Sequence, residues 1–149
     1  MKKLLLIFTI ALFSLIEINA QVEYKVITSV ESIVSSGLGR SRIIDAEAER
    51  DYKEFASEQT EEDNTRNKSK RSDIRVKDFE ETKLLNFYNI GGIRFQNIAA
   101  NDAVISSKIN AMIQEGWELA FVTSAVESDS GKDDGHGIFI TRYIFKRNN

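Results

Sequence analysis

The stretch NDAVISSKINAMIQEGWEL, residues 101–119, decides the fold because it predicts a helix that runs directly into a strand. Asn101 or Asp102 is placed to accept hydrogen bonds from the first free amides of such a helix. An apolar stripe follows at helical spacing, formed by Ile105, Ile109, Met112 and Ile113. Gly116 stands where a left-handed residue ends a helix, and Trp117 is predicted to fold back onto the end of the stripe. The tryptophan is therefore interpreted as a core anchor.

Strand-like segments lie on both sides of this helix. ELAFVTSAVES from Glu118 and IFITRYIFKR from Ile138 are rich in β-branched and aromatic residues, and a polar tip over 128–137 joins them, so they predict an antiparallel hairpin. VEYKVITSV, residues 22–30, alternates as a half-buried strand does. The expected class is α+β, an antiparallel sheet of about four strands covered by one main helix, with the first strand beside the last.

The chain from Asp45 to the main helix divides into three segments. DAEAERDYKEFASE, residues 45–58, predicts an amphipathic helix with an acidic outer face. Residues 58–83 are polar, and because 58–73 hold no apolar residue the segment is expected to be a mobile insertion or extended loop. LLNFYNIGGIRFQNI, residues 84–98, predicts strand character throughout, with either a tight Gly-Gly hairpin turn or a bulge at the glycines.

The N-terminus predicts export. Lys2 and Lys3 precede an apolar run over 4–16, and Ala20 is a small residue before the expected cleavage point, so residues 1–20 are interpreted as a signal peptide. The run is shorter than the roughly 20 residues that span a bilayer, so no retained membrane anchor is expected. The product is predicted to be periplasmic or secreted, with residues 21–149 forming a single domain.

Composition narrows the classes of function. The chain has no cysteine, which excludes the lipid attachment of a bacterial lipoprotein, disulfides and thiolate metal sites. Removing residues 1–20 takes away two lysines and one glutamate and leaves a net charge of −4. This acidic balance does not favour nucleic acid as a partner.

Three short motifs carry a resemblance to a known group. YKVITS in the first strand, EGWEL at the helix end and YIFKR in the last strand resemble a family of small bacterial domains of unknown function. The likeness covers residues 23–29 and 105–147, and residues 33–83 fall outside it. It implies a compact α+β fold with Gly116 and Trp117 in architectural roles, and it implies no activity or catalytic residue.

No residues of the sequence form a convincing catalytic set, so an enzyme is not expected. The single histidine, His136, lies between two glycines at the polar tip, near Ser128, Ser130 and Asp133. Such a tip supports a preorganised nucleophile poorly. The aspartates of the same tip, Asp129, Asp133 and Asp134, lack the alternation and closing glutamate of an EF-hand loop. No metal or other cofactor is predicted.

The candidate site is the loop SSGLGRSR, residues 35–42. Gly37 and Gly39 permit a backbone that converges on an anion, and Arg40 and Arg42 can each bind phosphate, sulfate or carboxylate in a bidentate manner. The pattern matches neither a Rossmann fingerprint nor a P-loop. The alternative is a connecting loop whose arginines pair with the acidic residues that follow.

These observations favour an exported, non-catalytic binding or interaction module. Its expected partner is an envelope protein, and the alternative is a small anion bound by the loop Gly37–Arg42. An unpaired edge strand would indicate strand addition or self-association through the sheet edge. A concave pocket beside Arg40 would indicate the ligand instead.

Overall fold

The computed structural model describes residues 21–32, 41–89, 91–126 and 137–148. The predicted signal peptide, residues 1–20, lies outside them. Within the described ranges the elements are β1 (Val22–Ser32), β2 (Arg42–Ala46), a 3-10 turn (Tyr52–Glu54), α1 (Arg71–Ile74), β3 (Phe79–Lys83), β4 (Tyr88–Asn89), β5 (Gly92–Ile93), α2 (Phe95–Gln114), β6 (Glu118–Val126) and β7 (Ile138–Asn148). No helix in these ranges has both the length and the apolar character needed to cross a membrane.

The described strands build one five-stranded antiparallel sheet in the order β3-β2-β1-β7-β6, with β4 and β5 as a separate small hairpin. β1 pairs with β7 along its whole length, from Val22 opposite Asn148 to Ser32 opposite Ile138. The predicted α+β class and the pairing of the first strand with the last are therefore confirmed. The sheet has five strands rather than about four because β2 and β3 come from segments predicted as loop and helix.

The predicted helix over 45–58 is wrong. Asp45 lies in β2, opposite Ile27 of β1, and only the single 3-10 turn at 52–54 is helical. Pairing with a central strand has overridden the local helical spacing, since strand formation depends on cross-strand packing more than on local preference. The segment 58–83, predicted as a mobile insertion or extended loop, ends in a strand. Its last five residues, Phe79–Lys83, form β3 and pair with β2 at the edge of the sheet.

The segment 84–98 holds a short hairpin and the start of the main helix, so strand character throughout is wrong. Tyr88 pairs with Ile93 and Asn89 with Gly92, and the chain reverses between them. Gly92 has a φ of +97°, which glycine adopts readily. Helix α2 then begins at Phe95, before the predicted caps Asn101 and Asp102. The sequence pattern did not predict this start, because a short apolar run cannot separate strand from helix by spacing alone.

The end of α2 agrees with the sequence prediction. Gly116 has a φ of +87°; its N–H donates to the carbonyl of Ile113, and the N–H of Trp117 donates to the carbonyl of Met112, both at 3.0 Å. These two bonds form a Schellman motif. Trp117 and Met112 are both buried in the core between α2 and the sheet. Its other buried apolar members are Ile27, Ile43, Leu84 and Phe145.

Candidate functional site

The predicted anion loop is visible only at its base, because Gly37, Gly39 and Arg40 lie outside the described residues. The N–H of Ser32 donates to the hydroxyl of Ser41 at 2.9 Å, which joins the end of β1 to the start of β2. The Ser41 hydroxyl in turn donates to Oδ1 of Asn86 at 2.7 Å. The Ser41 hydroxyl is thus part of an internal hydrogen-bond network.

Arg42, the remaining residue of the candidate site, forms an ion pair within the sheet. Its Nη1 lies 2.6 Å from Oε2 of Glu81 on β3. In the alternative interpretation, the loop arginines pair with the acidic residues that directly follow the loop. Arg42 does form an ion pair, but its partner is Glu81 on β3. Anion binding by the loop stays a prediction, and Arg42 would have to share or leave Glu81 to take part.

The predicted hairpin tip also lies outside the described residues, including His136, the serines at 128 and 130, and the aspartates at 129, 133 and 134. Its base is placed by the pairing of Ser32 with Ile138. The last residue of β1 and the first residue of β7 therefore lie side by side at one end of the sheet. No catalytic or calcium role of the tip is tested by this placement.

Asn101 is a residue whose role sequence reasoning missed. It is 1% exposed, and its side-chain amide exchanges two hydrogen bonds with the backbone of Leu85, at 2.7 and 2.8 Å. A third bond, from Nδ2 to Oε1 of Glu31, measures 2.8 Å. The available signal was its position one helical turn before Ile105, on the buried stripe of α2. Asn101 therefore fastens the segment before the hairpin to the helix and to β1.

A partly exposed ion cluster around the buried Asp45 connects α2 to three strands. The carboxylate of Asp45, on β2, lies 3.0 Å from Nζ of Lys25 on β1 and 3.1 Å from Nζ of Lys108 on α2. Lys108 also pairs with Glu80 of β3 at 2.9 Å. Partial burial opposes the charge on Lys108, but hydrogen bonds to Glu80 and Asp45 outweigh it and raise the pKa of Lys108. The cluster holds the β3 side of the sheet against the helix.

An open depression of about 660 Å³ lies at the end of the sheet away from the Gly37–Arg42 loop. Trp117 forms part of its wall, and the guanidinium of Arg147 stacks 4.3 Å from the centre of the indole ring. Arg147 also pairs with Glu23 at 2.7 Å. Glu23, one of the charged residues that line the depression, is therefore already paired.

The two edges of the sheet differ in charge and length. β6 has nine residues, and from Leu119 to Val126 it carries no charge and is mostly exposed. Within the described ranges no strand pairs with its outer side. β3 has five residues, and its acidic members Glu80 and Glu81 both form ion pairs. Charged and short edges resist strand pairing, whereas long apolar edges invite it.

One face of the sheet has no cover within the described part of the chain, and we call it the open face. Helix α2 packs on the opposite face. Every second residue of each strand points to the open face. Its apolar members are Val22, Tyr24, Val26, Val30, Ile44, Ala46, Phe79, Phe121, Ala125, Ile138, Ile140 and Ile144, none of which is buried.

Comparison with known proteins identifies no relative: no family model, no curated protein and no solved structure matches the chain. The resemblance to small bacterial domains therefore stays a prediction. No residue role can be transferred from another protein.

Proposed function

We propose that the mature chain is an exported, non-catalytic interaction module that binds its partner by strand addition to β6. The observation that carries this proposal is the uncharged, exposed edge from Leu119 to Val126. Free N–H and C=O groups on such an edge can form a ladder with an added strand, and the side chains of alternate residues supply specificity.

The geometry of β6 suggests where the added strand would lie. The register against β7 shifts between Leu119 and Phe121, which marks a bulge at the start of the strand. Bulges disrupt the ladder locally, so the regular edge is Phe121–Val126, about 20 Å long at 3.3 Å per residue. Its side chains alternate between the two faces and are almost all apolar or small, so the expected partner segment is extended and apolar.

Export belongs to the same proposal and is supported by the sequence of residues 1–20. Cleavage after Ala20 removes the only long apolar run and leaves a chain that begins at Gln21, directly before β1. N-terminal sequencing of the protein recovered from the envelope or medium is expected to give Gln21. A mature N-terminus at Met1 would contradict export by a cleaved signal.

Site-specific photocrosslinking tests the strand addition. A benzoylphenylalanine at Ser124, an exposed position near the centre of the regular edge, is expected to capture one partner of discrete mass in cells that export the chain. The matched probe at Tyr52, 73% exposed and away from the sheet, is expected to capture none. Substitution of Val122→Lys in the Ser124 probe should abolish the adduct, because a charged edge resists pairing.

The outcomes separate three cases. An adduct of twice the chain's mass would identify self-association through the edge, and an adduct with another envelope protein would identify strand addition to a partner. Equal capture from Ser124 and Tyr52, or an adduct that survives Val122→Lys, would contradict the proposal.

A further inference from the structure

We infer that the open face is a dimer interface, on which a second copy of this chain stacks its own open face. This surface is distinct from the β6 edge, and the inference does not depend on strand addition. A second copy is favoured by the composition of the face, its area and the position of its unpaired charge.

An apolar row crosses the open face at right angles to the strands. Register places Phe121 opposite Ile144 and Ile144 opposite Val26, and on the far side Ala46 opposite Phe79. The register of β1 with β2 ends at Ile27 opposite Asp45, and one further step along both strands places Ala46 beside Val26. All five strands therefore contribute an apolar side chain to one row. The row is well exposed, at 61% for Phe121, 45% for Val26 and 43% for Phe79.

The area of the face is sufficient for a stable dimer. β2 and β3 have five residues each, about 17 Å, and the other three strands offer about 24 Å each, so five strands about 4.8 Å apart give each copy on the order of 500 Å². Two copies would bury on the order of 1,000 Å², the size that a biological interface is expected to reach. Sheets packed in this way lie about 10 Å apart with their strands within about 30°.

A twofold axis along β1 makes the two faces complementary. β1 is the central strand, so each Val26 would meet Val26 of the second copy, and Phe79 would meet Phe121. Arg142 is exposed and has no ion pair within the described part of the chain. The register places Arg142 in the same row as Glu81, and the axis brings Arg142 of each copy next to Glu81 of the other.

Sedimentation equilibrium of the mature chain, residues 21–149, tests the inference. The wild-type chain is expected to be a dimer. Val26→Lys places two like charges against each other on the axis, so the dissociation constant is expected to rise on the order of 100-fold. The matched control is Val122→Lys, because Val122 is 46% exposed against 45% for Val26 but lies on the opposite side of the sheet. It is expected to leave the dimer intact.

A second variant keeps the test valid if Val26→Lys does not fold. Arg142→Glu changes an exposed side chain and would place a carboxylate next to Glu81 of the second copy, so it is also expected to weaken the dimer. Circular dichroism establishes that each variant is folded.

Three results would overturn the inference. They are a monomeric wild-type chain, a dimer that withstands both open-face variants, and a dimer lost only in Val122→Lys. A monomer that binds phosphatidylglycerol vesicles through Val26 would assign the face to a lipid surface instead. The strand-addition proposal fails separately, through the Ser124 adduct.

Discussion

The two edge strands of the sheet, β3 and β6, differ in length and in charge. β3 is short, carries three charged residues, and is held through Lys108 and Arg42 by two ion pairs. β6 is nearly twice as long and has no charge beyond Glu118. Since the two strands have the same backbone pairing potential, side-chain charge is what closes one edge and leaves the other accessible. This difference is the reason that we propose β6, rather than β3, as the binding edge.

The largest expected loss of stability comes from the ion cluster on the β3 side of the sheet. Asp45→Ala removes the shared partner of Lys25 and Lys108, whose charges are partly buried, so the free energy of unfolding is expected to fall by about 3 kcal/mol. Urea unfolding measures it. The control is Glu118→Ala on β6, because its 3.3 Å pair with Lys146 is exposed and should contribute less than about 1 kcal/mol. Equal losses would show that the cluster does not secure β3.

The next largest loss of stability is expected at Gly116, which ends α2 directly before β6. Gly116→Ala is expected to cost about 1–2 kcal/mol, the price of a left-handed backbone in a residue with a Cβ. The added Cβ would meet only Cδ of Arg147, at an ordinary 3.9 Å, so steric overlap does not contribute. Gly92→Ala is the matched variant, with a similar φ and no atom within 4 Å. An unchanged unfolding midpoint for Gly116→Ala would contradict the Schellman end of α2.

Removing two of the three charges of β3 would make the two edges more alike. Glu81→Thr combined with Lys83→Thr is expected to cost less than about 1 kcal/mol, because the pair of Arg42 with Glu81 is partly exposed. The exposed edge should nevertheless accelerate aggregation, measured by light scattering on mild heating. Glu115→Thr with Lys77→Thr is the control, since it makes the same charge change away from the sheet. Equal scattering from both variants would show that charge does not protect β3.

The ion cluster also predicts an alkaline dependence of stability. Because the folded state raises the pKa of Lys108, its contribution is complete below the unfolded value of about 10.4 and is lost as pH rises through the folded value. The unfolding midpoint of the wild-type chain should therefore fall towards that of Lys108→Gln above about pH 10. A constant difference between the two proteins up to the highest pH would contradict the raised pKa.

Substitutions on the β6 edge are expected to give the smallest change in stability and a full loss of partner binding. Val122→Lys combined with Ser124→Lys gives β6 the charged character of β3, and exposed substitutions of this kind change the free energy of unfolding by less than about 0.5 kcal/mol. Unfolding in urea measures the change in stability. Capture by a photocrosslinker at Val126, which lies opposite Phe139 and so points away from the open face, measures binding. Retained capture in the charged variant would remove the distinction between the edges.

Local patterns in the sequence determined β1, the end of α2 and the burial of Trp117. The alternation of Val22–Val30 predicted β1, and the glycine at 116 predicted the end of α2 and the inward turn of Trp117. Each depends on neighbouring residues alone: side chains alternate along a strand, and a positive φ costs glycine little. The α+β class follows from the order of such elements.

Tertiary structure alone decided β2, β3 and the polar core contacts. Asp45 had the spacing of a helix surface but lies in a strand, because β1 supplies a backbone partner and Lys25 and Lys108 neutralise its charge. Asn101 suited a helix cap but binds Leu85 and Glu31, and it is buried because those distant groups satisfy its amide. A buried polar group is stable only where partners meet it, and those partners are brought together by folding rather than by proximity in the chain.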